Sequence, residues 1–254
     1  MAECILVTET EFAKGESVFG SQRHFVVESM PREEQLLGEA VLAKKCRAVI
    51  LGTDRYSGPL YQALSQTGQD GGAIIARFGV GHDNIDKTLA RRHNIVVTNT
   101  PGVLSISVAE HAVWLMGCLG KHVASVDATV KIGEFVGQPG KEMRGRSLGI
   151  IGLGAIGRRV AAIAHFGFQM RVLAVDIFPT EELAQQEGKT FEQVKAAYGL
   201  TSYSDDIEAV LREADVVSVH VSVNPGTLNM FNAQRFSMMK RGGAFYQHRP
   251  RLCG

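Results

Sequence analysis

The sequence lacks the patterns that mark metal-binding, secreted or membrane-spanning proteins. Its four cysteines stand singly, at positions 4, 46, 118 and 253, without the CxxC spacing of a zinc site or a redox pair. The first residues carry no basic start of a secretion signal, and the apolar run from Ala112 to Gly120 is shorter than the ~18 residues of a membrane span. We therefore expect a cytoplasmic protein with neither a metal nor a membrane partner.

The sequence also has no excess of charge of one sign. Its 27 basic and 26 acidic residues are interspersed, so Lys44-Lys45 and Arg91-Arg92 are interpreted as solvated helix ends. We expect no nucleic-acid partner. With 254 residues, 45% of them apolar, the chain is long enough for two compact domains.

Short β-branched runs alternate with helical segments along the chain. Such continuous apolar runs are typical of parallel strands covered on both faces. The alternation pauses at Thr100-Pro101-Gly102 and resumes at Ser147, which predicts an α/β fold with two doubly wound parallel-sheet domains, 1–101 and 102–254. The predicted strands are 4–9, 25–29, 47–53, 73–78, 95–99, 147–153, 171–176, 215–221 and 243–246. The predicted helices are 32–45, 59–66, 87–94, 105–121, 155–165, 207–213 and 233–239, and the polar stretch 180–201 is left without an element.

The predicted helix from Ser105 to Lys121 is apolar around most of its circumference. Such breadth indicates burial against more than one neighbour. An interdomain core helix and a subunit interface are both compatible with this pattern. The second interpretation makes a homodimer the expected assembly.

A glycine-rich loop, Gly152-Leu153-Gly154-Ala155-Ile156-Gly157, follows an apolar strand and opens a helix. In that context GxGxxG predicts a dinucleotide site. The first glycine allows a tight turn, Gly154 lets the backbone approach a pyrophosphate, and Gly157 allows close packing of the helix on the strand. The amides that begin the helix, at Ala155 and Ile156, then face the pyrophosphate.

Asp176 ends the next strand, nineteen residues after Gly157. A carboxylate there accepts hydrogen bonds from both ribose hydroxyls, whereas it would repel the 2′-phosphate of NADP. The following Ile177-Phe178-Pro179 supplies no arginine to neutralise that phosphate. The predicted cofactor is NAD.

Five motifs together resemble one family, the D-isomer-specific 2-hydroxyacid dehydrogenases, which include phosphoglycerate, glyoxylate/hydroxypyruvate and formate dehydrogenases. The resemblance runs nearly end to end. It implies a flavodoxin-like substrate domain, an incomplete Rossmann NAD domain, an active site in the cleft between them, and hydride transfer between NADH and a small 2-oxo acid. The motifs are Ala76 to Asp86, Asn99 to Gly102, Ser107 to His111, Leu148 to Gly157 and Ala214 to Val221.

The resemblance also assigns roles to the first loop. Backbone amides of Val80 and Gly81 would bind the substrate carboxylate, because fixed amide dipoles suit an anion. Arg77 and Asn84 would shape this loop or contact substrate; a surface ion pair for Arg77 and a loop-capping hydrogen bond for Asn84 are alternatives of nearly equal weight.

Two histidines, at positions 82 and 111, are not at the family's catalytic position. We interpret His82 and His111 as structural. His220 ends a strand beside the cofactor site, where the family continues with Thr-Pro or Val-Pro; here Val221-Ser222 departs from that pattern. Val221 is still expected to contact the cofactor.

The tail from Tyr246 to Gly254 departs from the family altogether. The family's catalytic arginine sits in Asn-Thr-Ala-Arg-Gly, and a later histidine held by a glutamate exchanges the proton. Dropping the first base of the Tyr246 codon allows Ile-Asn-Thr-Ala-Arg-Gly-Phe-Val within codon degeneracy. We therefore expect a single-base insertion near the codons of Phe245 and Tyr246, no catalytic residues in this chain, and an enzyme by family that is inactive through truncation. The alternative is a non-catalytic NAD-binding regulator, as in corepressors of this fold.

Overall fold

The computed structural model describes residues 3–247. The chain divides into two compact units, Met1–Leu104 and Ser105–Gly254. Each unit contains a five-stranded sheet in which every strand pair is parallel. The fold-class prediction, α/β with two doubly wound sheets, is confirmed.

The first unit has the strand order β2-β1-β3-β4-β5, which is the flavodoxin-like order. Leu6, Val49 and Ile75 on its three central strands are fully buried. The crossover helices α3 and α4 pack against each other. The elements are β1 Glu3–Thr8, α1 Glu9–Lys14, α2 Glu16–Gly20, β2 Phe25–Met30, α3 Glu34–Lys44, β3 Ala48–Leu51, α4 Pro59–Thr67, β4 Ala73–Arg77, α5 Lys87–Arg92 and β5 Ile95–Thr98.

The second unit has the order β10-β9-β6-β7-β8, which corresponds to the first five strands of a Rossmann sheet. Its central strand β6 is buried along its whole length. The elements are α6 Ser105–Gly120, α7 Val123–Lys131, β6 Ser147–Ile151, α8 Ala155–Ala162 with a π-type turn Ile163–Gly167, β7 Arg171–Val175, α9 Thr180–Glu187, α10 Phe191–Tyr198, β8 Leu200–Ser204, α11 Ile207–Glu213, β9 Val216–Val219, α12 Ala233–Met238 and β10 Ala244–Gln247.

The polar stretch 180–201, to which the sequence assigned neither a helix nor a strand, contains two helices and the start of β8. Gly188 and Gly199 end the helices at φ 61° and 65°, a left-handed conformation that glycine adopts without steric cost. Thr190 and Gln193 form a capping box that starts α10. Each helix buries a single residue, Leu183 or Val194, so the apolar periodicity is faint. Helices α1, α2 and α7 were likewise not predicted.

Helix α6 buries one face and exposes the other. Ala109, Ala112 and Met116 pack into the core of the second unit, whereas Trp114 is 74% exposed. The burial expected on several sides is therefore found on one side only within a single chain.

Among the described residues, no helix combines the length and the apolar character needed to cross a bilayer. Of the predicted tail, Tyr246 and Gln247 belong to β10. Residues 248–254 lie outside the described range.

Candidate cofactor and substrate sites

The glycine-rich loop joins β6 to α8 in the second unit. Gly152 has φ +97°, and a Cβ added there would lie 2.9 Å from the Val221 side chain. A Cβ on Gly157 would overlap the Gly152 carbonyl oxygen, so the helix packs directly on the turn. A Cβ on Gly154 would meet no atom within 4 Å. Two of the glycines thus serve the close packing of the loop, while the third borders open space.

Gly154 is the N-cap of α8 and provides no side chain to bind the first helical amides. The amides of Ala155 and Ile156 belong to this first turn, whose N–H groups have no partner inside the helix. They form a positive helix end suited to a phosphate group. Open space beside Gly154 and free amides behind it fit a pyrophosphate.

Asp176 follows β7 and holds the loop in place. One carboxylate oxygen accepts a hydrogen bond from the Leu153 amide at 2.6 Å, and the other accepts from the Ile177 amide at 2.7 Å. Each oxygen retains a second lone pair for a further donor. The carboxylate that we expect to bind the ribose therefore also fixes the loop that we expect to bind the pyrophosphate.

A cavity of about 440 Å³ opens beside this loop. It brings together Gly152, Gly154, Asp176 and Val221 from the predicted set. Ala155, Ile156 and Gly157 follow directly in α8 but do not line it. The size is within the range of small-molecule and cofactor sites.

The far wall of the cavity contains residues that the sequence analysis did not identify. The side-chain oxygen of Asn224 accepts hydrogen bonds from the amides of Gly226 and Thr227, which shapes a turn after Val221. The sequence contains Asn-Pro-Gly at 224–226, a pattern typical of a turn, whereas the family has a proline directly after the residue that follows His220. After Val221-Ser222, where this chain differs from the family pattern, the chain therefore forms an ordered turn.

His220 lines the cavity at the end of β9. Its Nε2 lies 2.8 Å from Oγ of Ser218, which is fully buried on the same strand. This contact fixes the orientation of the imidazole ring.

Tyr203, on β8, contacts a residue that lines the cavity. Its hydroxyl donates a 2.6 Å hydrogen bond to the Phe178 carbonyl, in the loop that follows Asp176. Burial, with the nearby Asp176 charge, raises the pKa of Tyr203 to about 12. The hydroxyl therefore remains a donor at neutral pH and holds the loop.

Arg158 connects the glycine loop to α9. Its Nε donates to the Leu153 carbonyl at 2.8 Å, and its guanidinium pairs with Glu187. Glu187 also accepts a 2.7 Å hydrogen bond from Tyr198 of α10. The pKa of Glu187 is lowered, mainly by the Tyr198 hydroxyl and then by Arg158 and Lys189, against the effect of burial.

The predicted substrate loop follows β4 in the first unit. Asn99 donates to the Val80 carbonyl at 2.8 Å, and the Thr100 amide donates to the Gly79 carbonyl at 3.1 Å. Among the described residues, the amides of Val80 and Gly81 donate to no backbone carbonyl. Both residues are half-buried, and the loop around them is held by hydrogen bonds, so their amides suit the binding of an anion.

Arg77 and Asn84 contact the backbone around this loop. The Arg77 guanidinium packs so closely on Gly79 that a Cβ there would lie 2.6 Å from its nitrogen. Asn84 donates to the carbonyls of Gly52 and Asp54, at 3.1 and 2.8 Å, and so ties the loop to the one after β3. His82 is half-buried in the loop, and His111 is exposed on α6.

The second unit matches a known domain. Residues 113–246, which are 134 of the 254 residues, match the model of the D-isomer specific 2-hydroxyacid dehydrogenase NAD binding domain. The chain belongs to this family. The second unit thus corresponds to the NAD-binding domain of the D-2-hydroxyacid dehydrogenase family, and the predictions of family and cofactor are confirmed.

Similar proteins of this family include a D-3-phosphoglycerate dehydrogenase of Archaeoglobus fulgidus, 38% identical over 66% of this chain and 30% of its own length. A glyoxylate reductase of Korarchaeum cryptofilum is 32% identical over 83% of this chain and 59% of its own length. A D-3-phosphoglycerate dehydrogenase of Synechocystis is also similar. The chain spans between 28% and 59% of the length of these three proteins.

Solved structures show the same fold. The pyruvate reductase of Chlamydomonas reinhardtii has a TM-score of 0.77 at 26% identity, covering 100% of this chain and 71% of that one. The NAD-complexed D-isomer specific 2-hydroxyacid dehydrogenase of Lactobacillus delbrueckii has a TM-score of 0.69 at 25% identity, covering 99% and 72%.

Proposed function

We propose that the protein is an NAD-dependent oxidoreductase that transfers hydride between NADH and a small 2-oxo acid. The observation that carries this proposal is that one chain contains two binding features. The first is a glycine loop held by Asp176, and the second is the loop that presents the amides of Val80 and Gly81. The predicted domain 1–101 would bind the substrate, and the predicted domain 102–254 would bind the cofactor. The similarity to phosphoglycerate dehydrogenases and a glyoxylate reductase supports this reaction class.

Each group contributes by position. The amides of Val80 and Gly81 would bind the substrate carboxylate, with Asn84 and Arg77 fixing the loop. Gly152, Gly154, Ala155, Ile156 and Gly157 would surround the pyrophosphate, and Asp176 would accept from the ribose hydroxyls. Val221 would contact the nicotinamide side. NADH supplies the hydride when bound.

We further propose that the polypeptide of this sequence binds NAD but does not catalyse the oxidation of NADH by a 2-oxo acid. No Asn-Thr-Ala-Arg-Gly occurs in it, and Tyr246-Gln247 follow Phe245 instead. The test is NADH oxidation with glyoxylate, hydroxypyruvate or 3-phosphohydroxypyruvate. The printed chain is compared with one expressed from a gene that lacks the first base of the Tyr246 codon and continues in that frame.

Turnover only after this change supports both proposals. Turnover by the printed chain would contradict inactivity and leave the reaction supported. NAD binding with turnover by neither chain would favour the non-catalytic, corepressor-like alternative. Sequencing the gene from its source tests the single-base insertion directly.

We also propose a homodimer formed through the exposed face of α6 and the segment after α7. Trp114, Ile132 and Phe135 are 74%, 71% and 87% exposed, and a surface that exposes large apolar side chains in this way favours a protein interface. Light scattering should give twice the monomer mass, and Phe135→Glu should reduce it to the monomer mass. Leu228→Glu, at an exposed position near the cofactor cavity, is the control. A monomeric parent would refute the proposal.

The cytoplasmic location remains a proposal, based on the absence of CxxC spacing from the sequence. Cell fractionation tests it.

A further inference from the structure

Two cysteines that are far apart in sequence lie side by side in the first unit. Cys4 is on β1, and Cys46 lies between α3 and β3, 42 residues later. Their Cα atoms are 5.2 Å apart and their sulfur atoms are joined. This separation is within the range that a disulfide requires, and no backbone movement is needed to form it.

The local fold fixes both positions. Lys45 adopts the left-handed conformation at φ 52° and ends α3, and the Cys46 amide then donates to the Val41 carbonyl at 3.0 Å. Strands β1 and β3 pair in parallel with Ile5 opposite Ala48. Both cysteines therefore stand at the amino ends of adjacent strands, held by backbone hydrogen bonds that do not depend on the sulfur atoms.

The two sulfur environments differ. Cys46 is 1% exposed in the core of the first unit, whereas Cys4 is half-buried. An exchange partner from solvent would reach Cys4 first, because thiol exchange requires access to the attacked or attacking sulfur. Next to them, Glu3 and Arg47 form a surface ion pair that joins the same two segments.

We propose that the Cys4–Cys46 disulfide is reversible and stabilises the first unit. It is made by exchange with a low-molecular-weight disulfide such as oxidised glutathione, and it is broken by the corresponding thiol, reduced glutathione. The Cys4 thiolate attacks one glutathione sulfur, forms a mixed disulfide and releases a glutathione thiolate. The Cys46 thiolate then attacks the Cys4 sulfur and releases the second. Two protein thiols are oxidised, one glutathione disulfide is reduced to two thiols, and the thiol protons pass to solvent or to the released thiolates.

The bond would act on stability rather than on ligand binding. It closes a loop that contains α1, α2, β2 and α3, and such closure restricts the unfolded chain. In a parallel sheet all strands run in the same direction, so their amino ends lie together at one end of the sheet and their carboxyl ends at the other. The loop with Val80 and Gly81 follows the carboxyl end of β4, so we expect its properties to be unchanged.

The experiment uses the full chain with Cys118→Ala and Cys253→Ala, which leaves only the pair. The protein is equilibrated in oxidised or in reduced glutathione, alkylated, and mapped by mass spectrometry, and its thermal unfolding is recorded under both conditions. We expect a Cys4–Cys46 peptide only under oxidising conditions, with a midpoint higher by roughly 10 °C. Adding Cys4→Ala should abolish both the peptide and the shift.

Recovery of both alkylated thiols from the folded protein in oxidised glutathione would overturn the proposal. So would a formed disulfide with an unchanged unfolding midpoint, or a bond that reduced glutathione cannot break. Because Cys4→Ala could impair folding, Cys4→Val provides a second variant that fills the half-buried site. Far-ultraviolet circular dichroism of each variant, measured in parallel, reports whether the whole chain is folded.

Discussion

At the scale of single residues, Gly154 separates cofactor binding from folding. Its φ of −74° and ψ of −166° suit any residue, and an added Cβ would meet only open space. Gly154→Ala should therefore leave the free energy of unfolding unchanged. It should weaken NAD binding about 10-fold or more, because the methyl group enters the space expected for the pyrophosphate.

Titration calorimetry measures this affinity. Gly167→Ala is the matched control, since its added Cβ also meets no atom and it lies outside the cavity. Equal NAD affinity for the two variants would show that the pyrophosphate binds elsewhere.

Tyr246 shows a different property, a polar atom in an apolar environment. Its side chain is 6% exposed in the core of the second unit, and its hydroxyl has no hydrogen-bond partner among the described residues. Burial raises the pKa of this hydroxyl, so it stays protonated. Tyr246→Phe should stabilise the protein by about 1 kcal/mol, because an unsatisfied buried hydroxyl is removed.

Urea unfolding should show a higher midpoint with an unchanged slope. Tyr203→Phe is the opposite case, because its hydroxyl donates to Phe178. It should lower the midpoint. A loss of stability in Tyr246→Phe would mean that the hydroxyl has found a partner.

At the scale of elements, Glu187 joins α8, α9 and α10. Its carboxylate is 16% exposed, pairs with Arg158 and accepts from Tyr198. Because its folded pKa lies below the ordinary value of 4.5, its contribution is complete above that value and is lost as pH falls through the folded pKa. Glu187→Gln should cost about 1–3 kcal/mol at pH 7.

The difference between parent and Glu187→Gln should therefore shrink below pH 4.5, as urea unfolding at several pH values would show. Glu192 forms a surface ion pair with Lys195, and its side chain is 79% exposed. Glu192→Gln should therefore change the free energy of unfolding by less than about 0.5 kcal/mol. A constant difference from pH 7 to pH 3 would mean that the charge of Glu187 has no stabilising role.

The elements that the sequence predicted well are those with strong local signals. Buried strands such as β6 and β9 appear as continuous β-branched runs, and the glycine spacing identified the turn before α8. Helices α9 and α10 bury one residue each, so their formation depends on capping by Thr190 and on Gly188 and Gly199 rather than on apolar periodicity. The approach of Cys4 to Cys46, and of Tyr203 to Phe178, depends on strand order, which residue spacing does not encode.

At the scale of the whole molecule, the two proposed ligand groups belong to different units. The cofactor loop is in Ser105–Gly254, and the amides of Val80 and Gly81 are in Met1–Leu104. Each ligand can therefore be traced separately by amide hydrogen exchange. NAD should protect 152–157, and oxalate, as a small dianion, should protect Val80 and Gly81.

NAD at ~100 times its dissociation constant should add ~2.7 kcal/mol to the stability of the unit that binds it. This follows from mass action alone, so its size does not depend on the identity of the contacts. Thermal unfolding and hydrogen exchange on the same sample then give two independent tests that NAD binds to the loop 152–157. A stability gain of this size with protection away from 152–157 would place NAD outside the glycine loop. Protection of that loop by oxalate alone would mean that the loop binds anions without selecting the dinucleotide.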